Sequence, residues 1–204
     1  MKRKKLTASM IALVMSVSLP MTTYAANWYL EDGSVTVNAD NSGQTVTQGS
    51  NPAVSDEAPV ITQRESSVET GNTIAINASD NATANVTIKD INIKSSKDAI
   101  DVKGSSSANI TLEGDNKIFS ETGSALHVSD GNVTINGSGS LKAEIQDEPF
   151  GYNHNAKIGS HEKEDMFGSI HITGDATVKT DDNIAPNCGG DGAGIGSGED
   201  GTMS

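Results

Sequence analysis

A pattern of short segments repeats along the sequence and restricts the folds that the chain can adopt. Four segments, 84–93, 108–118, 131–141 and 168–178, each place two aliphatic residues around a polar one and add a further aliphatic residue after a turn. The leading aliphatic residues are spaced 24, 23 and 37 residues apart: Val86, Ile110, Val133 and Ile170. The trailing ones are spaced 25, 23 and 37 apart: Ile93, Ile118, Leu141 and Val178. Because the final spacing is 37 residues for both sets, we predict an insertion within one repeat.

A third column of aliphatic residues precedes these two. Its members are spaced 26, 26, 32 and 37 residues apart: Ile74, Ile100, Leu126, Ile158 and Ile195. Each repeat therefore contains three short segments with apolar side chains at every second position, which is the period of a β-strand. Disordered chains lack such periodicity, so the polar composition does not indicate disorder.

Three short strands in each repeat of 23–26 residues predict an all-β fold, a parallel β-helix (solenoid) of about four to five coils. Each strand is expected to stack on its counterpart one coil away, while the aliphatic side chains fill a narrow interior. The LxxLxLxxN spacing of leucine-rich repeats is absent. No segment has the i, i+3, i+4, i+7 stripe of an amphipathic helix.

The N-terminus indicates export. Four basic residues in MKRKK precede the largely apolar run 6–19, and small residues at Thr23 and Ala25 flank Tyr24 as a signal peptidase requires. We predict that residues 1–25 are a secretory signal peptide cleaved after Ala25, and that the protein is secreted, extracellular or at the cell surface. The alternative, a membrane anchor, needs about 18 or more apolar residues and no cleavage site.

Removal of the signal peptide leaves a strongly acidic chain. Residues 26–204 carry 10 basic and 27 acidic side chains, a net charge of −17. Such a surface repels nucleic acid and anionic membranes, so we expect neither as a partner. Divalent cations and neutral glycans remain candidates. The single cysteine, Cys188, rules out a disulfide within the chain.

Three of the six NxS/T sequons lie in one column of the repeat, at Asn85, Asn109 and Asn132, each two residues before a threonine. Asparagines stacked at a turn can bond their side-chain amides to the coils above and below. We therefore interpret these sequons as products of stacking. Glycan acceptors are the alternative.

Residues 26–72 do not show the repeat. They contain Trp28 and Tyr29 and one clear strand, SVTVN, before a linker rich in Pro, Ser and Glu. A solenoid needs a different end unit to shield its first coil, so we assign 26–72 as an N-terminal cap and linker and 73–204 as β-helix coils. Stacking of a sugar ring on the two aromatic residues is the alternative.

The stretches WYLEDGSVTVNADNSGQTVTQG, VTIKDINI, NITLEGDNKI and AGIGSG resemble the secreted carbohydrate-binding-domain proteins of Gram-positive anaerobes. The resemblance covers essentially the whole mature chain. It implies a right-handed parallel β-helix, related in shape to pectate lyases, that binds extracellular or cell-wall polysaccharide. It also implies calcium in some members and no demonstrated catalysis. We therefore expect a non-catalytic, carbohydrate-binding and adhesin-like module, although no residue can be assigned to the sugar.

A polysaccharide lyase or glycoside hydrolase is the alternative from a different class. β-Helix lyases use Arg or Lys as a base beside calcium held by several Asp, but the one arginine after the signal peptide, Arg64, lies in the linker. Hydrolases need clustered carboxylates, and neighbouring acids on a strand point to opposite faces. We therefore predict no catalytic residue. A structural surface stalk is the third hypothesis.

Two segments contain candidate metal ligands. Hard oxygen ligands for calcium are predicted in a Gly-rich turn at Asp181, Asp182 and Asp191, with solvated turn carboxylates as the alternative. The long fourth coil supplies residues that could bind a transition metal: His154, His161, Glu162, Glu164 and Asp165. Their spacing is loose, and a polar excursion from the coil is the favoured interpretation.

The closing glycines in GAGIGSG, residues 192–198, do not indicate a phosphate-binding loop, because no helix can follow in EDGTMS. Ile195 instead aligns with Ile158, so this stretch is the first strand of a fifth coil. Its later strands are absent from the sequence. We therefore expect a truncated β-helix whose native product is longer, or one that self-associates end to end through its open edge.

Overall fold

The computed structural model describes residues 25–79, 81–146, 153–180 and 194–198. Within these ranges the chain is all-β except for one 3₁₀ turn, Leu30–Asp32, and its strands form three sheets. Sheet A contains β1 (Asn27–Tyr29), β5 (Val60–Thr62), β7 (Thr83–Lys89), β10 (Ser107–Glu113), β13 (Asn132–Gly137) and β16 (Ser169–Ile172). Sheet B contains β2 (Val35–Asp40), β3 (Gly43–Gln48), β4 (Val54–Ser55), β6 (Ile74–Ala78), β9 (Ile100–Lys103), β12 (Leu126–Val128), β15 (Ile158–Gly159) and β18 (Ile195–Gly196). Sheet C contains β8 (Asn92–Ser95), β11 (Asp115–Ser120), β14 (Ser140–Ile145) and β17 (Thr177–Thr180).

From β7 onward the chain visits sheet A, then sheet C, then sheet B, and repeats this order. We call one such passage a rung. Each strand pairs in parallel with the equivalent strand of the next rung, as β7 does with β10 and β9 with β12. The chain is therefore all-β with parallel sheets, an arrangement consistent with a β-helix-like fold.

The core lies between the three sheets and is filled by the inward half of each strand. In β9, for example, Ile100 and Val102 are buried while Lys103 is exposed. Branched aliphatic residues suit this environment because their stiff side chains pack well on a pleated surface. Burying each one fully contributes roughly 1.5–3 kcal/mol. The largest fully buried side chains come from all three sheets and include Ile61, Ile74, Ile76, Ile88, Ile93, Ile100, Ile110, Leu112, Ile118 and Leu126.

The third predicted column is confirmed, because its five aliphatic residues lie opposite one another in sheet B from β6 to β18. The other two columns are wrong at one step. Ile110 lies opposite Ile135 instead of Val133, and Ile118 lies opposite Ala143 instead of Leu141. Both errors are of two residues, which leaves every side chain on its predicted face because the strand period is two.

The same two-residue shift shortens the asparagine ladder. Asn109 Nδ2 donates a hydrogen bond of 3.0 Å to Asn85 Oδ1, as stacking predicts. Asn132, however, lies opposite Ser107, and Asn109 lies opposite Thr134. The predicted column of three asparagines is therefore a pair.

The segment before residue 72 adds strands to two of the sheets. Strands β1 and β5 continue sheet A, and β2 continues sheet B in parallel with β6. Trp28 packs against the core, and its Nε1 donates a hydrogen bond of 2.9 Å to Asp56 Oδ2. The assignment of 26–72 as a cap and linker stays a prediction.

Candidate functional site

The outward side of sheet C carries a column of cations. Lys117, Lys142 and Lys179 lie opposite one another on β11, β14 and β17, and Lys94 on β8 lies opposite Phe119. Neighbouring strands are about 4.8 Å apart, so these like charges repel one another. The chain as a whole has a net charge of −13, which makes this local excess of positive charge distinctive. We call these five residues the lysine face.

The lysine face combines an aromatic ring with paired and unpaired lysines. Lys94 Nζ lies 5.6 Å from the centre of the Phe119 ring and 3.9 Å from Glu69 Oε2, and Lys142 Nζ pairs with Glu144 Oε1 at 3.0 Å. Lys117 Nζ makes no ion pair or hydrogen bond with any residue that the structure describes. These side chains line a groove of about 330 Å³. An aromatic face flanked by cations and carboxylates can stack on a sugar ring and bind its polar groups.

Arg64, the one arginine after the predicted signal peptide, is occupied by a structural contact. Its two terminal nitrogens lie 3.0 and 2.7 Å from the carboxylate oxygens of Asp32, and its guanidinium lies 4.2 Å from the centre of the Tyr29 ring. The hydrogen bond from Arg64 lowers the pKa of Asp32. This bidentate contact joins the linker to the 3₁₀ turn and to β1.

The predicted calcium ligands, Asp181, Asp182 and Asp191, lie outside the described residues. Residues 1–24 of the predicted signal peptide do so too. Calcium binding and cleavage after Ala25 therefore stay predictions. Within the described ranges, no helix has the length and apolar character needed to cross a bilayer.

A second polar site lies on the outward side of sheet B. Asp101, His127 and Gly159 lie opposite one another on β9, β12 and β15. The alternation of the strand would expose His127, yet it is only 4% exposed. The segment 160–166, which follows β15, covers it: the rings of His127 and His161 stack with centres 3.9 Å apart and planes 7° apart.

Three carboxylates hold the two imidazoles. Asp101 Oδ1 lies 2.9 Å from His127 Nδ1, and Glu164 Oε2 lies 2.8 Å from His127 Nε2. Asp98 Oδ1 lies 2.7 Å from His161 Nε2. We call these residues the histidine cluster: Asp98, Asp101, His127, His161 and Glu164. Lys103 is a neighbouring cation, with Nζ 2.5 Å from Asp101 Oδ2.

The electrostatics of the cluster favour charged side chains. Burial disfavours the charged form of His127, but hydrogen bonds with Asp101 and Glu164 outweigh it and raise the pKa of His127. Burial likewise opposes ionisation of Asp101 and Glu164. Hydrogen bonds from His127 to both, and from Lys103 to Asp101, outweigh burial and lower the pKa of each carboxyl. The cluster therefore concentrates negative charge around two imidazoles.

The structure unites two of the five residues that the sequence offered as possible transition-metal ligands, where a polar excursion was the favoured interpretation. His161 and Glu164 enter the histidine cluster, whereas Glu162 accepts a hydrogen bond from the neighbouring Lys163. Sequence reasoning missed Asp98, Asp101 and His127. The sequence contained one signal for His127: in SALHV, residues 124–128, the histidine lies between the two aliphatic residues of a repeat strand, at a position expected to be exposed.

Comparison with known proteins finds no matching family model, no similar curated protein and no similar solved structure. The resemblance to carbohydrate-binding-domain proteins therefore stays a prediction.

Proposed function

We propose that the chain is a right-handed parallel β-helix module that is secreted or held at the cell surface and binds polysaccharide without cleaving it. The repeated passage through sheets A, C and B and the parallel pairing of successive rungs support the solenoid. A solenoid presents a regular, extended surface, which suits a polymer with a regular repeat. An adhesin-like role follows if the bound glycan belongs to another cell.

The observation that carries this proposal is the groove around Phe119. Its ring is partly exposed on the outward side of β11, with Lys94 and Glu144 on the two neighbouring strands. Aromatic rings on strand surfaces offer an apolar platform, and the carbon face of a sugar ring can pack on it. The acidic composition predicts a neutral glycan, but the flanking lysines locally favour a polysaccharide that carries carboxylate or sulfate groups.

The column of lysines also has a physical cost that a ligand would relieve. Lys117 lies between Asn92 and Lys142, and none of the described residues neutralises it. Like charges directly opposite one another destabilise a sheet by a few tenths of a kcal/mol to about 1 kcal/mol. An anionic polymer that runs along sheet C would compensate several of these charges at once.

Retention and cleavage are measured together to test this function. The purified chain is incubated with acidic pectic polymers and neutral cellulosic polymers, each with calcium and with a chelator. We expect retention on the acidic polymer with no release of new chain ends. Release of new chain ends would refute this function and indicate a lyase or hydrolase. Absence of both retention and chain-end release would favour a structural stalk.

Two substitutions assign the binding to the lysine face. We expect Phe119→Ala and Lys117→Gln each to weaken retention about three- to ten-fold, because each removes one contact worth about 1 kcal/mol. Lys89→Gln is the matched control, since Lys89 lies on sheet A and pairs with Glu113 at 3.1 Å. Equal retention by all three variants would show that the polymer binds elsewhere.

A further inference from the structure

The histidine cluster lies on sheet B and has no role in binding along sheet C, and its excess of carboxylates favours a bound cation. Asp98, Asp101 and Glu164 bring three carboxylates to two imidazoles, and the ammonium of Lys103 pairs with Asp101. With both imidazoles neutral, the cluster and Lys103 together would hold a net charge of −2 in a partly buried place. Uncompensated charge removed from water is costly.

The orientation of His127 sharpens this requirement. When Asp101 accepts the proton of Nδ1, the neutral ring has its lone pair on Nε2, which points at Glu164 Oε2 only 2.8 Å away. Two acceptors at that distance repel unless a proton or a metal ion lies with them. In metal sites, a histidine ligand commonly donates the N–H that faces away from the metal to a carboxylate, which fixes the orientation of the ring. Asp101 is placed to accept in this way from His127 Nδ1.

The ligand atoms are close enough for one ion. Asp98, His127 and His161 each offer one ligand atom, and these atoms all lie within 4.8 Å of one another. Ligands about 2.0–2.2 Å from a tetrahedral ion stand roughly 3.4 Å apart, so the longest ligand–ligand distance has to shorten by up to about 1.4 Å. Glu164 Oε2, 3.7 Å from His161 Nδ1, is placed to join them.

The parallel stacking of His127 and His161 has to change when an ion binds. An imidazole binds a metal through a lone pair in the plane of its ring, so two rings that stack in parallel cannot both point at one ion. His161 can turn, because it belongs to the covering segment and its side chain is 35% exposed. His127 keeps its orientation, because Asp101 holds it and only 6% of its side chain is exposed. Binding would therefore open the stack by rotating His161.

We propose that Asp98, His127 and His161, with Glu164 beside them, bind one divalent transition-metal ion that fastens segment 160–166 to sheet B. Two imidazoles with carboxylate oxygens suit Zn²⁺, Co²⁺ or Ni²⁺, whereas Ca²⁺ and Mg²⁺ prefer sites built from oxygen ligands alone. None of these residues belongs to the lysine face or to the predicted calcium ligands.

The test uses untagged, full-length chain freed of metal by a chelator and titrated with Zn²⁺ in a calorimeter. A parallel titration with Co²⁺ follows its visible absorption. We expect one ion per chain, a Co²⁺ spectrum of tetrahedral type, and no comparable binding of Ca²⁺ at this site. His161→Gln and His127→Gln should each weaken Zn²⁺ binding at least ten-fold, and Asp101→Asn should weaken it about ten- to a hundred-fold.

Controls separate a lost ligand from a lost fold. His171→Gln removes a histidine on β16 whose ring is hydrogen-bonded to Ser169 Oγ and which lies outside the histidine cluster, so the Zn²⁺ affinity of this variant should match that of the unchanged protein. Circular dichroism spectra of all variants should coincide. His161→Gln leaves every strand intact, so it keeps the test valid if His127→Gln fails to fold. Absence of Zn²⁺ and Co²⁺ binding, or equal affinity in folded His161→Gln, would overturn the proposal and leave a proton-bridged packing contact.

Discussion

The side-chain amide of Gln44 pairs with both backbone polar groups of Asn85. Gln44 Nε2 donates to Asn85 O at 3.0 Å, and Gln44 Oε1 accepts from Asn85 N at 2.8 Å. Strand β5 pairs with β7 only from Thr87 onward, so the edge of β7 would be open at Asn85. One buried side chain therefore substitutes for a missing length of strand.

Gln44→Leu should destabilise the protein by about 1–3 kcal/mol, because it keeps the volume but leaves the Asn85 backbone groups and the Asp56 carbonyl without their partner. Urea unfolding followed by circular dichroism measures the loss. Asn77→Ala is the control, since it removes only an exposed amide contact of 2.8 Å with Asn38. Equal losses for both variants would refute the strand-substitute role.

Asn116→Leu should cost about 2–4 kcal/mol even though Asn116 lies opposite Leu141 in an apolar column. Its amide donates to the carbonyls of Glu113 and Ser140, and it accepts from Ile91 N at 3.2 Å. The side chain therefore joins three rungs. Asn109→Ala, which removes an exposed amide pair, should change thermal stability little, and a stable Asn116→Leu would contradict this account.

Gly159→Ala should release the last described strand of sheet B. A Cβ at Gly159 would lie 1.6 Å from Gly196 O, and its φ of +140° is strained for any side chain. Hydrogen exchange at Ser160, whose N–H donates to Gly196 O at 3.1 Å, should then accelerate. Gly71→Ala is the control, since the nearest atom to its Cβ would be 3.9 Å away. Unchanged exchange at Ser160 would contradict the close packing.

Retention on an acidic polysaccharide should fall as salt rises, because exposed charges on the lysine face are screened. Lys117→Glu should weaken retention more than Lys117→Gln, since it adds repulsion to the loss of a cation. Binding assays at low and high ionic strength measure both effects. If salt left retention unchanged, contacts through Phe119 alone would have to account for binding.

The register of the repeat strands of sheet B, β6, β9, β12, β15 and β18, could be predicted from the sequence, whereas the register of sheets A and C could not. Each of these five strands places an isoleucine or leucine at one fixed position, so their column is unambiguous. In the other sheets, the likeness of ANITLEG to GNVTING suggests a pairing two residues away from the real one. Alternation cannot correct an error of two, because both pairings bury the same face.

The histidine cluster was only partly predictable for a different reason. His161 and Glu164 lie three residues apart, and a local pattern nominated them. Asp98, however, lies 63 residues before His161 in the chain and meets it only because rungs stack. Without the correct stacking, an aspartate beside one strand and a histidine on the next look like ordinary exposed residues.

The histidine cluster draws on three consecutive rungs: Asp98 and Asp101 from one, His127 from the next, and His161 with Glu164 from the third. When the third rung frays from the stack, His127 loses its covering ring and its Glu164 contact in a single event. The accessibility of one imidazole thus reports whether a whole rung is docked. An interaction that holds His161 near His127 adds its own free energy to the free energy of that local opening. The packing of the aliphatic core does not change.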